Sequence, residues 1–188
     1  QLDANTIQQM EMIKGPGSSI YGAGTGGVLL LKSPVATEET TLTTSFLTGS
    51  YGLRNYQLAL NQGGKKSSHY VGYQHQQADG YREQTRMVRD QVTSTFKLSL
   101  SDKEVLETAL FYTDLYYQTP GGLTLAEYNT NARQARPAAG PSPGAITQNA
   151  GVSLRSFYAG VSHQYTFAKN LHNRTGIFGN FIQFNNSA

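Results

Sequence analysis

The sequence predicts an all-β fold: part of a transmembrane antiparallel β-barrel, with about seven strands represented. Three observations predict it. Apolar and polar residues alternate with a period of two over most of the chain after residue 36, which gives a strand one apolar and one polar face. Several alternating segments run ten to fourteen residues, whereas strands of globular proteins centre on about 5–6 and an outer-membrane strand needs about 9–11 to cross at a tilt. The connections are short on one side and longer on the other, as expected of a barrel with tight turns at one rim and extended loops at the other. Alternation by itself also fits a soluble β-sandwich, whose apolar face would be buried between two sheets.

Composition narrows the classes. The chain has 188 residues with 15 Lys and Arg against 12 Asp and Glu, a formal charge of +3, and 14% charged residues in all. Phosphate neutralisation needs a dense basic face, so nucleic acid is not an expected partner. There is no cysteine, which excludes disulfides, thiolate zinc sites and thiol nucleophiles. No run approaches the roughly 18 apolar residues of a membrane-spanning helix. The first residues show no basic start, apolar stretch or cleavage site, and the chain does not begin with Met; the expectation is a processed chain or an internal piece of a longer one.

Seven strands are expected at approximately 40–50, 54–62, 68–80, 89–100, 104–117, 154–167 and 172–184. In the second, Tyr56, Leu58 and Leu60 share one face and Asn55, Gln57 and Asn61 the other. In the fourth, Val92, Phe96, Leu98 and Leu100 alternate with Thr93, Thr95, Lys97 and Ser99. In the sixth, Phe157, Ala159, Val161, Tyr165 and Phe167 alternate with Tyr158, Gly160, Ser162, Gln164 and Thr166. Short turns follow the second, fourth and sixth strands at Gly63–Lys66, Ser101–Lys103 and Ala168–Asn170; the opposite side carries the short 51–53 turn and the longer segments Asp79–Arg89 and Gln118–Ser153. Loops beyond about 12–15 residues are usually functional or disordered. Within the last one, Thr124 followed by Glu127 is a capping-box pair that predicts a short helix over Thr124–Tyr128.

The first 36 residues differ. Gly22-Ala23-Gly24-Thr25-Gly26-Gly27 fits a G-x-G-x-x-G nucleotide pattern, but the apolar run Val28-Leu29-Leu30-Leu31 that follows reads as a strand. A dinucleotide fingerprint must open a helix, and no Lys-Ser or Lys-Thr follows to make a phosphate-cradling loop. A nucleotide site is therefore not expected.

The run Gln9-Met10-Glu11-Met12-Ile13-Lys14-Gly15-Pro16-Gly17-Ser18-Ser19-Ile20-Tyr21-Gly22, followed by Gly26-Gly27-Val28-Leu29-Leu30-Leu31-Lys32, strongly resembles the end of the plug domain of TonB-dependent outer-membrane receptors. About 20 positions match in register. The resemblance implies a domain division at 1–36 (C-terminal part of a plug) and 37–188 (N-terminal part of the barrel). Barrels of this class have 22 strands, so it also implies a piece of a longer receptor, with a signal peptide, energy-coupling box and most of the plug upstream and further strands downstream. The localisation it implies is the bacterial outer membrane.

The same resemblance implies a lock between plug and wall in which Lys14 is the basic member, with Glu11, Gly15, Pro16, Tyr21, Gly22, Gly26 and Gly27 forming the strand and turn around it. Gln9 departs from the family's frequent arginine. The alternative for Lys14 is plain solvation in the lumen. The glycines read as turn formers that permit positive φ and close backbone approach.

No catalytic constellation is present, and an enzyme is not expected. His69, His75, His163 and His172 lie on strands or strand ends without H-x-x-H or H-E-x-x-H spacing, so no metal site or cofactor is expected. Glu107 and Asp114 are seven apart and take opposite faces of a strand. Ligand capture is expected at the long-loop rim, where Arg82, Arg86, Tyr116, Tyr117, Arg133 and Arg136 gather. Arginine's planar fork suits carboxylate and catecholate oxygens, and tyrosine offers a flat apolar face with a polar tip. The alternatives are an interfacial aromatic girdle for Tyr116 and Tyr117, and pairing of Arg82 with Glu83 or Asp79.

Thr119-Pro120-Gly121-Gly122-Leu123-Thr124, with Glu127-Tyr128 and Arg133-Gln134-Ala135-Arg136, resembles the corresponding region of ferric-citrate-type siderophore receptors. It implies import of a ferric siderophore, with a TonB-type energy transducer and outer-membrane lipid as further partners. The same family with cobalamin, a glycan or another metal chelate as cargo remains open, as does a soluble binding or adhesin sandwich.

Overall fold

The computed structural model describes residues 9–15, 26–32 and 39–187. Pro16, Tyr21 and Gly22 lie outside the described residues. A two-stranded antiparallel hairpin comes first: β1 (Gln9–Lys14) pairs with β2 (Gly27–Lys32), from Gln9 opposite Lys32 to Lys14 opposite Gly27. Seven further strands form one antiparallel sheet in sequence order: β3 (Thr41–Thr48), β4 (Arg54–Gln62), β5 (Ser67–Ala78), β6 (Met87–Ser101), β7 (Glu104–Gln118), β8 (Gly151–Ala168) and β9 (Leu171–Ser187). The helix α1 (Leu125–Thr130) lies in the β7–β8 connection, capped by Thr124 and closed by Glu127 as the capping box requires.

Every strand pairs with its sequence neighbours, so the sheet is an up-and-down meander. It does not close, since β3 and β9 are not paired with each other. This is an arc of barrel wall, all-β and antiparallel as the alternation predicts. The strands lengthen along the chain from 8 residues in β3 to 18 in β8 and 17 in β9. The longer ones exceed the roughly 9–11 residues that a tilted outer-membrane strand needs.

The register assigns each side chain to a face. One face carries Tyr56, Leu58 and Leu60 of β4, Val71 and Tyr73 of β5, Val92 of β6, Leu110 and Tyr112 of β7, Phe157 and Val161 of β8, and Ile177 and Phe181 of β9, all exposed. The opposite face carries the buried polar residues Ser68, Gln74, Gln91, Thr93 and Thr113. This inverts the arrangement of a water-soluble protein, in which large apolar residues are covered and polar ones exposed. Gln91 is 1% exposed and Thr113 0%, and neither side chain has a hydrogen-bond partner among the described residues. Buried polar atoms need water or another polar surface over them, which a lumen supplies. No second sheet covers the apolar rows among the described residues, so the sandwich arrangement is not found.

Most strand ends fall within two residues of expectation, and the larger differences are the start of β8 and the end of β9. β8 begins at Gly151, three residues before the expected start, because Gly151, Val152 and Ser153 pair with Gln118, Tyr117 and Tyr116; the small residues there carry no alternation. β9 reaches Ser187 and is apolar on both faces, with Phe178, Ile182 and Phe184 joining the polar-side rows.

Candidate functional site: the long-loop rim

Short turns at 63–66, 102–103 and 169–170 lie at one rim. The other rim gathers the 49–53 turn, the 79–86 loop and the 119–150 segment. Backbone hydrogen bonds tie these three together. The amides of Asp79 and Gly80 donate to the carbonyl of Tyr51 at 2.9 and 3.3 Å, Glu83 N donates to Arg133 O at 2.8 Å, and Gln118 N donates to Arg86 O at 2.8 Å. The 119–150 segment is pinned at its base by Thr119 N to Ala150 O at 3.0 Å, and folded on itself by Arg136 N to Pro120 O at 2.7 Å and Ala145 N to Arg136 O at 2.9 Å. Ala135, Ala145 and Ala150 are buried within it. A segment of this length is ordered here because its backbone polar groups find partners.

The arginines expected to meet a ligand divide into two groups. Arg82 is spent on the loops: Nε and Nη2 donate to Gln134 O at 3.1 and 2.9 Å, and Nη1 to Gly121 O at 3.0 Å. It pairs with neither Glu83 nor Asp79; the Glu83 carboxylate accepts from Ala135 N at 3.2 Å instead. Arg136 donates through Nη2 to Gln148 Oε1 at 2.6 Å, within the long segment. Arg86 and Arg133 are exposed. Arg86 makes no side-chain hydrogen bond or ion pair among the described residues. Arg133 donates through Nε to Tyr81 O at 3.2 Å, and its guanidinium carbon lies 5.6 Å from the Tyr81 ring and 5.9 Å from the Tyr51 ring. The two rings meet edge to face at 5.5 Å.

Tyr51, Tyr81 and Arg133 come from three connections, so the aromatic–cation cluster exists only once the rim is assembled. Tyr51 was not among the residues expected at the site. Its sequence signal is the Tyr51-Gly52 pair, which takes left-handed φ values of 59° and 69° in the turn between β3 and β4. Tyr116 and Tyr117 take opposite faces, as adjacent strand residues must. Tyr116 lies in the outward row with Val88 and Ser153, and Tyr117 in the inward row with Met87 and Val152. At the loop helix, the Glu127 carboxylate accepts from Thr124 N at 2.7 Å and Thr124 Oγ1 at 2.8 Å. These bonds favour its charged form and hold its pKa below the ordinary glutamate value.

In the hairpin, Glu11 is bound by Lys32 at 3.2 Å and by Gln9 Nε2 at 2.7 Å. Lys14 lies on the other face of β1 and has no side-chain partner among the described residues. Gly15 is at φ 90° and Gly27 at φ 141°. A Cβ on Gly27 would stand 2.6 Å from the carbonyl oxygen of Ile13, so the closing pair Lys14–Gly27 admits only glycine on the β2 side. Gly26 has open space around it.

Glu107 and Asp114 do take opposite faces, and each finds an arginine: Asp114 with Arg155 at 2.9 Å outward, Glu107 with Arg174 at 2.7 Å inward. The inward pair borders a hollow of about 290 Å³ floored by Ala109, Gly160 and Gly176. No cluster of three or more metal-ligating side chains occurs among the described residues.

No family model matches the sequence. Among solved structures, the chain is similar to the siderophore receptor PiuA from Acinetobacter baumannii, with a TM-score of 0.73 at 16% identity. The superposition covers 95% of this chain and 27% of that receptor. The likeness shows the fold. It fits an open arc of β-barrel wall with a preceding hairpin, and the chain spans about a quarter of the length of that receptor.

Proposed function

We propose that the chain is part of a TonB-dependent receptor of the bacterial outer membrane that imports a ferric siderophore. The reading is a transport role, not a catalytic one. The observation that carries it is the inverted sheet: apolar residues outward and polar residues inward along an up-and-down meander, with the likeness to a siderophore receptor over 95% of the chain.

The rim supplies a chemistry suited to an anionic chelate. Arg133 sets its guanidinium against the Tyr51 and Tyr81 rings with its terminal nitrogens unspent among the described residues, Arg86 is exposed at the same rim, and planar donors with flat aromatic surfaces suit carboxylate and catecholate oxygens. Arg82 and Arg136 act one step back, by holding the loop that presents Arg133. The β1–β2 hairpin is read as the end of the plug, through which a TonB-type energy transducer of the inner membrane acts on the bound receptor.

The test is growth of a deletion strain on single ferric siderophores as the only iron source, with cobalamin-dependent growth measured alongside. Loss of growth on one ferric chelate, restored by the gene, supports the reading. Loss of growth on cobalamin alone would reassign the cargo.

A further inference from the structure

The outward face carries one row of residues that differs from the rows below it. Following the register across the sheet from β4 to β9, Tyr56 stands opposite His75, His75 opposite Asp90, Asp90 opposite Asp114, Asp114 opposite Arg155, and Arg155 opposite Gln183. Every member lies on the same face as the exposed apolar residues, one row nearer the long-loop rim than Leu58, Tyr73, Val92, Tyr112, Phe157 and Phe181. The ionisable members are tied to one another. His75 Nδ1 lies 2.8 Å from Asp90 Oδ1, Tyr73 OH donates to the same oxygen at 2.7 Å, and Arg155 Nε donates to Asp114 at 2.9 Å.

Below the row, β7 presents Tyr112, Leu110, Thr108 and Leu106 outward before the next ionisable group, Glu104. Asp114 and Glu104 are ten residues apart on one strand and one face. At about 3.3 Å per residue that is about 33 Å along the strand, and at a tilt near 40° about 25 Å along the normal, the height of the apolar band of outer-membrane barrels. Neighbouring strands end the band at matching heights: Tyr165 stands opposite Glu104, and Asn173 opposite Tyr165.

We propose that these two rows are the edges of the membrane contact: the Asp90–Asp114–Arg155 row meets lipid headgroups on the long-loop side, and the Glu104–Tyr165–Asn173 row meets them on the short-turn side. The occupant of the face between them is lipid hydrocarbon. Two features argue for it. The polar row runs without a break across six strands at one level, and its ionisable members on β5 to β8 are bonded in pairs, His75 with Asp90 and Arg155 with Asp114, which lets them lie beside hydrocarbon where unpartnered polar groups would be costly. The inference rests on the barrel reading above.

The experiment places a nitroxide at Glu104, Leu106, Thr108, Leu110, Tyr112 and Asp114 in turn, as single cysteine variants of the intact protein in lipid bilayers, and measures collision with oxygen and with a water-soluble nickel chelate. The proposal expects oxygen access to peak at Thr108 and Leu110, and nickel access to rise at both Asp114 and Glu104. A peak displaced by a row or more, with Asp114 or Glu104 inside the hydrocarbon, overturns the assigned edges while leaving the barrel reading standing. Nickel access that is high at all six positions overturns both. Since Asp114→Cys unpairs Arg155, Tyr116→Cys serves as a second probe above the edge and should also be nickel-accessible.

Discussion

Asp90 and Asp114 stand directly opposite each other across β6 and β7 on the outward face, and each carboxylate is held from its far side, Asp90 by His75 and Tyr73, Asp114 by Arg155. Two like charges placed as cross-strand neighbours destabilise a sheet. Here each has its own donor, and the pairs fall where the apolar rows end. β7 therefore carries carboxylates outward only at Asp114 and Glu104 and keeps the four outward positions between them free of charge.

Leu110 lies in the middle of the outward band of β7, and Ala109 beside it faces the hollow on the inward side. Leu110→Arg should destabilise the intact protein by about 2–4 kcal/mol in bilayers. Ala109→Gln should cost under about 1 kcal/mol, since its side chain enters an open hollow bordered by the Glu107–Arg174 pair. Urea unfolding in lipid vesicles measures both. Equal costs would mean that the two faces meet the same medium.

Arg82 holds the carbonyls of Gly121 and Gln134 with three donors. Arg82→Ala should loosen the long loop by about 1–3 kcal/mol, read as faster hydrogen exchange at the amides of Ala135 and Arg136. Arg82→Lys should not restore protection, because one ammonium cannot reproduce a planar fork. Unchanged exchange in both variants would return Arg82 to the ligand.

Gly27 closes the hairpin at φ 141° with Ile13 O in the space a Cβ needs. Gly27→Ala should cost about 1–3 kcal/mol of hairpin stability, seen as new protease cleavage within residues 9–32. Gly26→Ala, which meets open space, serves as the tolerated control.

Glu127 has a folded-state pKa held below its ordinary value by the Thr124 bonds. Its stabilisation of α1 is therefore complete at neutral pH, begins to fade as pH falls below the ordinary glutamate range, and is lost as pH passes through the lowered value. Glu127→Gln keeps a capping side chain without the titration. The amide of Thr124 should lose protection in acid in the native protein and hold it in the variant, compared at equal pH.

The periodic parts of the fold were legible from the chain alone. β4 runs Arg54–Gln62, the extent its alternation predicts, because Tyr56, Leu58 and Leu60 fix both face and register. The short turns and the Thr124 cap were also readable, each carried by local residues. The division of the rim arginines was not. Arg82 is held by carbonyls 39 and 52 positions away, and no local pattern distinguishes a guanidinium so engaged from the exposed ones of Arg86 and Arg133. Tyr51 and Tyr81 are thirty positions apart, and their meeting depends on the turn at Tyr51 being left-handed. The charged outward row was invisible for the same reason: its members are ordinary strand residues until five registers align them.

The most direct measurement is thiol labelling of the adjacent pair Val161 and Ser162 on β8, in native outer membranes carrying the intact protein. This chain has no cysteine of its own, so Val161→Cys and Ser162→Cys each add one thiol to it. Val161 faces outward beside Thr108 and Ile177, and Ser162 inward beside Glu107 and Gly176. The account predicts that Val161→Cys reacts with a bilayer-soluble maleimide and resists a charged, water-soluble one, and that Ser162→Cys shows the reverse order. Equal reaction of both thiols with the water-soluble reagent would contradict the claim that this sheet is a membrane wall with a polar interior.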